Sequence, residues 1–166
     1  MNNDIYISLA NSVAFRFSLF FVRSGCGASP NSQPPLANLT LIGNADLEGN
    51  RGIRLRAGTW AKIYNVIVTG KSQSLTTETA NTEASFANGK SEVQYIYATG
   101  TCGSKVADLA TATGNAFSQA APSLTNTYIG TISGGKDLSA DSFFTKTDYK
   151  GAVPANNDWT AGWTRR

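Results

Sequence analysis

The sequence predicts an all-β domain wound as a short coiled β-solenoid, with a β-sandwich as the alternative architecture. Three observations lead there. The 166 residues include only 15% charged side chains and as many as 16 glycines, whereas average domains carry about 25% charge. Ser, Thr, Asn and Ala fill the difference, a mixture that suits short strands between frequent turns rather than long surface helices. Apolar triplets also recur: Leu39-Thr40-Leu41-Ile42-Gly43-Asn44 is answered 27 residues later by Val66-Ile67-Val68-Thr69-Gly70-Lys71, with glycine again in register. Finally, alternating segments closed by turns lie between these triplets. A recurrence in the twenties is what a solenoid needs, because a single coil cannot bury its inward face alone.

Taken in order, the elements begin with the apolar run Val13 to Val22 (VAFRFSLFFV). A secretory signal wants basic residues before an uninterrupted apolar core, but Asp4 is the only charge ahead of this run and Arg16 interrupts it. Gly25-Cys26 has the look of a lipoprotein signal, with Arg23 where Leu is wanted. The run is too short for a transmembrane span. Alternation of Phe15, Phe17 and Leu19 suits a strand instead. Residues 1–35 therefore read as a degraded signal or a cap, ending in the Pro-rich linker Ala28 to Pro35, and residues 36–166 as the β-solenoid domain.

Within that domain, Gly52 to Gly58 alternates, with Ile53 and Leu55 on one strand face and Arg54 and Arg56 on the other. Ala61 to Asn65 leads into the Val66 triplet. Ser72 to Asn88 is polar, anchored by Leu75 and Phe86. Glu92 to Thr99 reads as a strand with Val93, Tyr95 and Tyr97 on one face. Lys105 to Ala121 suits a short helix or a decorated loop, stopped by Pro122, and Tyr128 to Ile132 one more strand. The tail collects Phe143, Phe144, Tyr149, Trp159 and Trp163, an aromatic set expected to plug the end of the stack as a C-terminal cap.

Composition removes much chemistry. With no histidine, neither a Ser-His-Asp nor a Cys-His arrangement can form, nor a His-ligated metal site. Cys26 and Cys102 read as one disulfide or as two unrelated thiols. A net charge of +3 without a basic run argues against a nucleic-acid partner. Arg51, Arg54, Arg56 and Lys62 come nearest to a cluster, and read as a solvated strand face.

Three motifs invite a ligand. Gly130-Thr131-Ile132-Ser133-Gly134-Gly135-Lys136-Asp137 nearly matches a phosphate loop, but Asp137 stands where Mg²⁺ needs Ser or Thr, so it reads as a Gly-Gly turn with a solvated lysine. Asn44 to Asn50 has alternating oxygen donors like the start of a calcium loop, making Asp46 and Glu48 the candidate Ca²⁺ ligands. The twelfth position is Leu55 rather than the required Glu, and a polar turn is the simpler reading. Trp60, Trp159 and Trp163, with Tyr64, Tyr95 and Tyr97, offer flat rings for stacking on sugars, Trp60, Tyr95 and Tyr97 being the candidate carbohydrate-binding residues, set against plain packing.

The stretch Leu39 to Gly70 (LTLIGNADLEGNRGIRLRAGTWAKIYNVIVTG) resembles the late coils of secreted bacterial right-handed parallel β-helix-like, pectin-lyase-like proteins. The ending resembles them more specifically: Phe143-Phe144, then Tyr149-Lys150-Gly151-Ala152, then Asp158-Trp159-Thr160-Ala161-Gly162-Trp163-Thr164. The resemblance implies a short right-handed parallel β-helix fragment, export to the outside or outer-membrane surface of a Gram-negative-type cell, and no assigned chemistry. Relatives are longer, so the chain reads as a terminal fragment or short version. The expected function is a non-catalytic structural or adhesive surface domain whose partner is a cell-surface polysaccharide or another surface protein. The alternative is a carbohydrate-binding or polysaccharide-lyase-like protein.

Overall fold

The computed structural model describes residues 33–43 and 51–162, together with the backbone of two strands nearer the N-terminus. Those strands, β1 (Asp4–Leu9) and β2 (Val13–Ser18), pair antiparallel. From Pro35 onward the chain alternates between two parallel sheets. Strands β3 (Pro35–Ile42), β5 (Lys62–Thr69) and β7 (Glu92–Ala98) form the first, in that order. Strands β4 (Arg51–Arg56), β6 (Gln73–Glu78) and β8 (Thr101–Cys102) form the second. Each coil gives one strand to each sheet, and the strand in the opposite sheet serves as the crossover that parallel neighbours require.

The recurrence in the sequence is this stacking. Leu39 lies opposite Val66, Leu41 opposite Val68 and Ile42 opposite Thr69, and the next coil repeats it with Val66 opposite Ile96 and Val68 opposite Ala98. Parallel pairing throughout both sheets excludes the β-sandwich. The dry interior holds Leu41, Ile63, Val66, Val68, Val93, Ile96 and Ala98 from the first sheet against Ile53, Leu55 and Leu75 from the second. Where the coil turns between sheets, glycine follows glycine: Gly70 has φ +66°, and a Cβ there would collide with the carbonyl of Gly43 in the coil before.

One regular irregularity shapes the first sheet. Asn38, Asn65 and Tyr95 occupy equivalent positions in β3, β5 and β7, and all have positive φ, at 54°, 59° and 59°. A left-handed residue takes up one position without continuing the in–out alternation. Ile63 and Val66 therefore both point inward although three apart, as do Val93 and Ile96. The expected common face of Val93, Tyr95 and Tyr97 does not exist: Val93 is in the core, Tyr95 sits at the irregularity, and Tyr97 points outward. Asn tolerates this conformation well; Tyr does so only under constraint.

Of the two readings of Lys105 to Ala121, the structure shows the decorated loop, and the helix lies in an earlier stretch where none was expected. Lys105 to Ala121 holds a single 3₁₀ turn, Leu109–Thr111, whereas helix α1 (Ala80–Ala87) falls in the polar stretch between β6 and β7. It docks by hydroxyls rather than an apolar stripe. Buried Thr82 accepts from the Gly58 amide at 3.0 Å, and Ser85 donates to Ser91, which accepts from the Ala61 amide at 2.9 Å. Leu109 covers the core beyond β7, and residues 113–119 lay a partial further coil there: the Ala98 amide donates to Ala116 and the Ala116 amide to Ile96.

The C-terminal part runs along the side of the stack. Strands β9 (Gly130–Ser133) and β10 (Tyr149–Val153) pair antiparallel against the outward face of the first sheet, where the Ala152 amide donates to Thr40 Oγ1 at 2.9 Å. Ile67 points outward yet is fully buried, with Gly151 packed so closely that a Cβ would press on Ile67 Cδ1. Phe143 is 84% exposed and Trp159 50%. The expected aromatic plug is thus a lateral cover with surface aromatics; Trp163 lies outside the described residues.

Candidate functional site

The densest polar group lies between the first sheet and this cover. Asn65 is fully buried; its Oδ1 accepts from the Lys136 amide at 2.7 Å and its Nδ2 donates to the Lys136 carbonyl at 2.9 Å. One coil earlier, Asn38 Nδ2 donates to the carbonyls of Tyr149 and Gly151. The left-handed backbone turns both side chains onto the cover. The Lys136 ammonium lies 3.0 Å from Glu92 Oε1, 3.2 Å from Gln94 Oε1 and 4.3 Å from the centre of the Tyr64 ring. Tyr64 donates to Glu92 Oε2 at 2.9 Å.

The electrostatics follow from these contacts. Burial pushes the Tyr64 hydroxyl far above the usual phenol range, and the hydrogen bond to the Glu92 carboxylate and its charge push it further. Burial would raise Glu92, but hydrogen bonds from Lys136 and Tyr64 and the positive charges of Lys136 and Lys62 outweigh it and hold the carboxyl below its ordinary value. At neutral pH this group is a phenol, a carboxylate and an ammonium satisfying one another. It can hold the cover in place; a phenol kept protonated in this way is no general base.

The glycine-rich stretch ahead of Lys136 is not the expected turn: Gly130–Ser133 form β9, and Gly134 to Lys136 continue from it as irregular chain. Its amides are turned inward, Gly134 and Gly135 both donating to the Asp148 carbonyl. Lys136 itself, expected to be solvated, is paired with Glu92. On the second sheet, Glu78 binds Arg54 through both oxygens, at 2.8 and 2.7 Å, and also pairs with Arg51. The Arg54 hydrogen bond chiefly lowers the Glu78 carboxyl below its usual range, against a smaller effect of burial. The arginine face is thus an ion-pair network around one carboxylate.

The other candidate residues are dispersed. Asp46 and Glu48 lie outside the described residues; among those described, no cluster of three or more Asp, Glu, Cys or His could hold a metal. Trp60 is half-buried beneath the Lys90 ammonium, 5.2 Å from the ring centre. Tyr95 is packed against Gly114, and Tyr97 donates to the Ala120 carbonyl at 3.0 Å. Trp60 precedes β5, whereas Tyr95 and Tyr97 lie within β7, and each of the three rings has its own separate contacts. Cys102 is a half-buried free thiol, raised mainly by burial, and Cys26 lies outside the described residues.

Sequence reasoning placed Tyr64 among the stacking aromatics and missed Glu92, Asn38 and Asn65, because their partners are distant: 44 residues separate Glu92 from Lys136 and 71 separate Asn65 from it. The Asn at the same place in successive coils was the available signal. A cleft of about 530 Å³ was also missed. It lies between α1, the start of β7 and residues 106–113, and forms only when the helix and the end coil come together.

No helix among the described residues is long and apolar enough to cross a membrane. A family model described as a pectate-lyase-like β-helix domain matches residues 21–164. No curated protein and no solved structure matched the chain. The parallel coils from β3 to β7 lie within the region matched, and the chain belongs to the pectate-lyase-like β-helix domain family.

Proposed function

We propose that this chain is a non-catalytic structural or adhesive β-solenoid domain, secreted or displayed at the outer surface of a Gram-negative-type bacterium. What supports it is the covered face of the first sheet. Residues 130–153 occupy the flat surface on which an extended polymer would otherwise lie, and Asn38, Asn65 and Lys136 are engaged in holding them there. Incubation with polyuronates is the test: the expected result is no gain in ultraviolet absorbance, and release of unsaturated, absorbing chain ends overturns the proposal.

A second reading, carbohydrate binding, is favoured by Trp159. Its indole N–H donates to the Ala152 carbonyl at 3.0 Å while half of the residue stays exposed, and aromatic side chains with one apolar and one polar end suit sugar recognition. A glycan array separates the readings: retention of glycans, reduced by Trp159→Ala, supports binding to a cell-surface polysaccharide, while binding confined to surface proteins supports adhesion. Calcium held by Asp46 and Glu48 would act structurally between coils. An unchanged melting temperature at millimolar calcium removes that site.

A further inference from the structure

We propose that the cleft between α1 and residues 106–113 binds a small organic cation, a protonated amine or guanidinium carried on an apolar body. Its volume of about 530 Å³ is that of a small-ligand site. Phe86, Val93, Val106, Leu109 and Ala112 supply an apolar lining, while Glu83, Glu92 and Asp108 supply carboxyl groups and no Lys or Arg lines it. That reverses the balance of the whole chain, which has 14 basic and 11 acidic residues.

The fold explains why the trough exists. β7 is the last strand of the first sheet, and Leu109 covers the core beyond it while α1 stands to one side. Glu92 is already paired with Lys136 and Tyr64, so the uncompensated charge comes chiefly from Glu83 and Asp108. An anion is repelled by these groups. A bare metal ion gains nothing from the apolar lining, and a neutral apolar ligand leaves the carboxylates unanswered. Only a ligand with both a cationic end and an apolar body matches both features. This inference is independent of the adhesive role, and either can fail alone.

The test titrates the whole chain with 4-phenylbutylammonium, its neutral analogue 4-phenylbutanol and the anion 4-phenylbutanoate, following amide shifts of Val93, Leu109 and Ala112 and the heat of binding. The expected order is cation, then neutral, then anion. The double substitution of Glu83→Gln with Asp108→Asn is expected to weaken the cation about tenfold, leaving the alcohol unchanged. Both positions are on the cleft rim, and an unchanged melting temperature shows that the fold survives. Equal binding of cation and alcohol, no binding of the cation, or shifts outside the cleft each overturn the proposal.

Discussion

The side-chain amide of Asn65 pairs with both backbone polar groups of Lys136, 71 residues later, as one strand pairs with another. A single buried residue thereby joins the middle coil to the lateral cover, and its left-handed backbone is what aims the amide outward.

Asn65→Ala is expected to destabilise the domain by about 2 kcal/mol, because it strains the left-handed backbone and leaves two half-buried backbone groups of Lys136 without partners. Asn65→Gly loses the same hydrogen bonds but relieves the strain, and is expected to cost about 1 kcal/mol less. Urea unfolding of both variants gives the comparison; equal losses would mean that the backbone conformation contributes nothing.

Gly70 and Gly89 have nearly the same backbone, φ +66° and +65°, but different surroundings. A Cβ on Gly70 meets the Gly43 carbonyl, while one on Gly89 meets nothing within 4 Å. Gly89→Ala is expected to cost about 1 kcal/mol of backbone strain. Gly70→Ala is expected to cost about 3 kcal/mol or more, since adjacent coils must separate. Thermal melting of the two variants side by side isolates the contribution of coil spacing.

Glu78 and Glu92 are both held below the ordinary carboxyl range in the folded protein. The unfolded chain then binds more protons as acid is added, so their stabilisation is full above the unfolded value of about 4.3 and is lost as pH falls through the depressed folded values. Stability measured by urea at successive pH values is expected to decline below pH ~4.5. The decline should be shallower in Glu78→Gln, which also loses about 1 kcal/mol at neutral pH from its Arg54 and Arg51 pairs.

Tyr64 gives the alkaline counterpart. Its folded value is raised, so the stabilisation is full below the unfolded value of about 10 and is lost as pH rises above it. In a spectrophotometric titration, one tyrosine is expected to ionise only as the protein unfolds. Glu92→Gln removes the neighbouring negative charge and should bring that phenol down toward the ordinary phenol range. A native protein in which every tyrosine titrates together counts against the buried Tyr64–Glu92 bond.

The stacked coils were legible because two similar apolar triplets carry glycine at the same place, and parallel register converts that spacing directly into contact between Leu39 and Val66. The family kinship was legible in the same stretch and in the tail. Helix α1 was not, because Thr82 and Ser85 bury hydroxyls where helices usually bury leucines, leaving no apolar period to read. Nor was the role of the tail: Phe143 and Trp159 are aromatic without being core residues. Their neighbours Lys150 and Gly151 make the inward contact instead. Tyr95 deceived for another reason, since a backbone reversal within a strand is invisible to a simple alternation.

The column Asn38, Asn65 and Tyr95 also limits how the chain can change length. Each member is a switch of phase between two short apolar frames, Ile63 before it and Val66 to Val68 after it in the middle coil. Loss or gain of one residue between switch and frame would turn Ile67 toward the core and Val66 toward solvent, a face reversal confined to one rung. Tolerated insertions are thereby directed away from the first sheet and into the connections, as with the helix between β6 and β7.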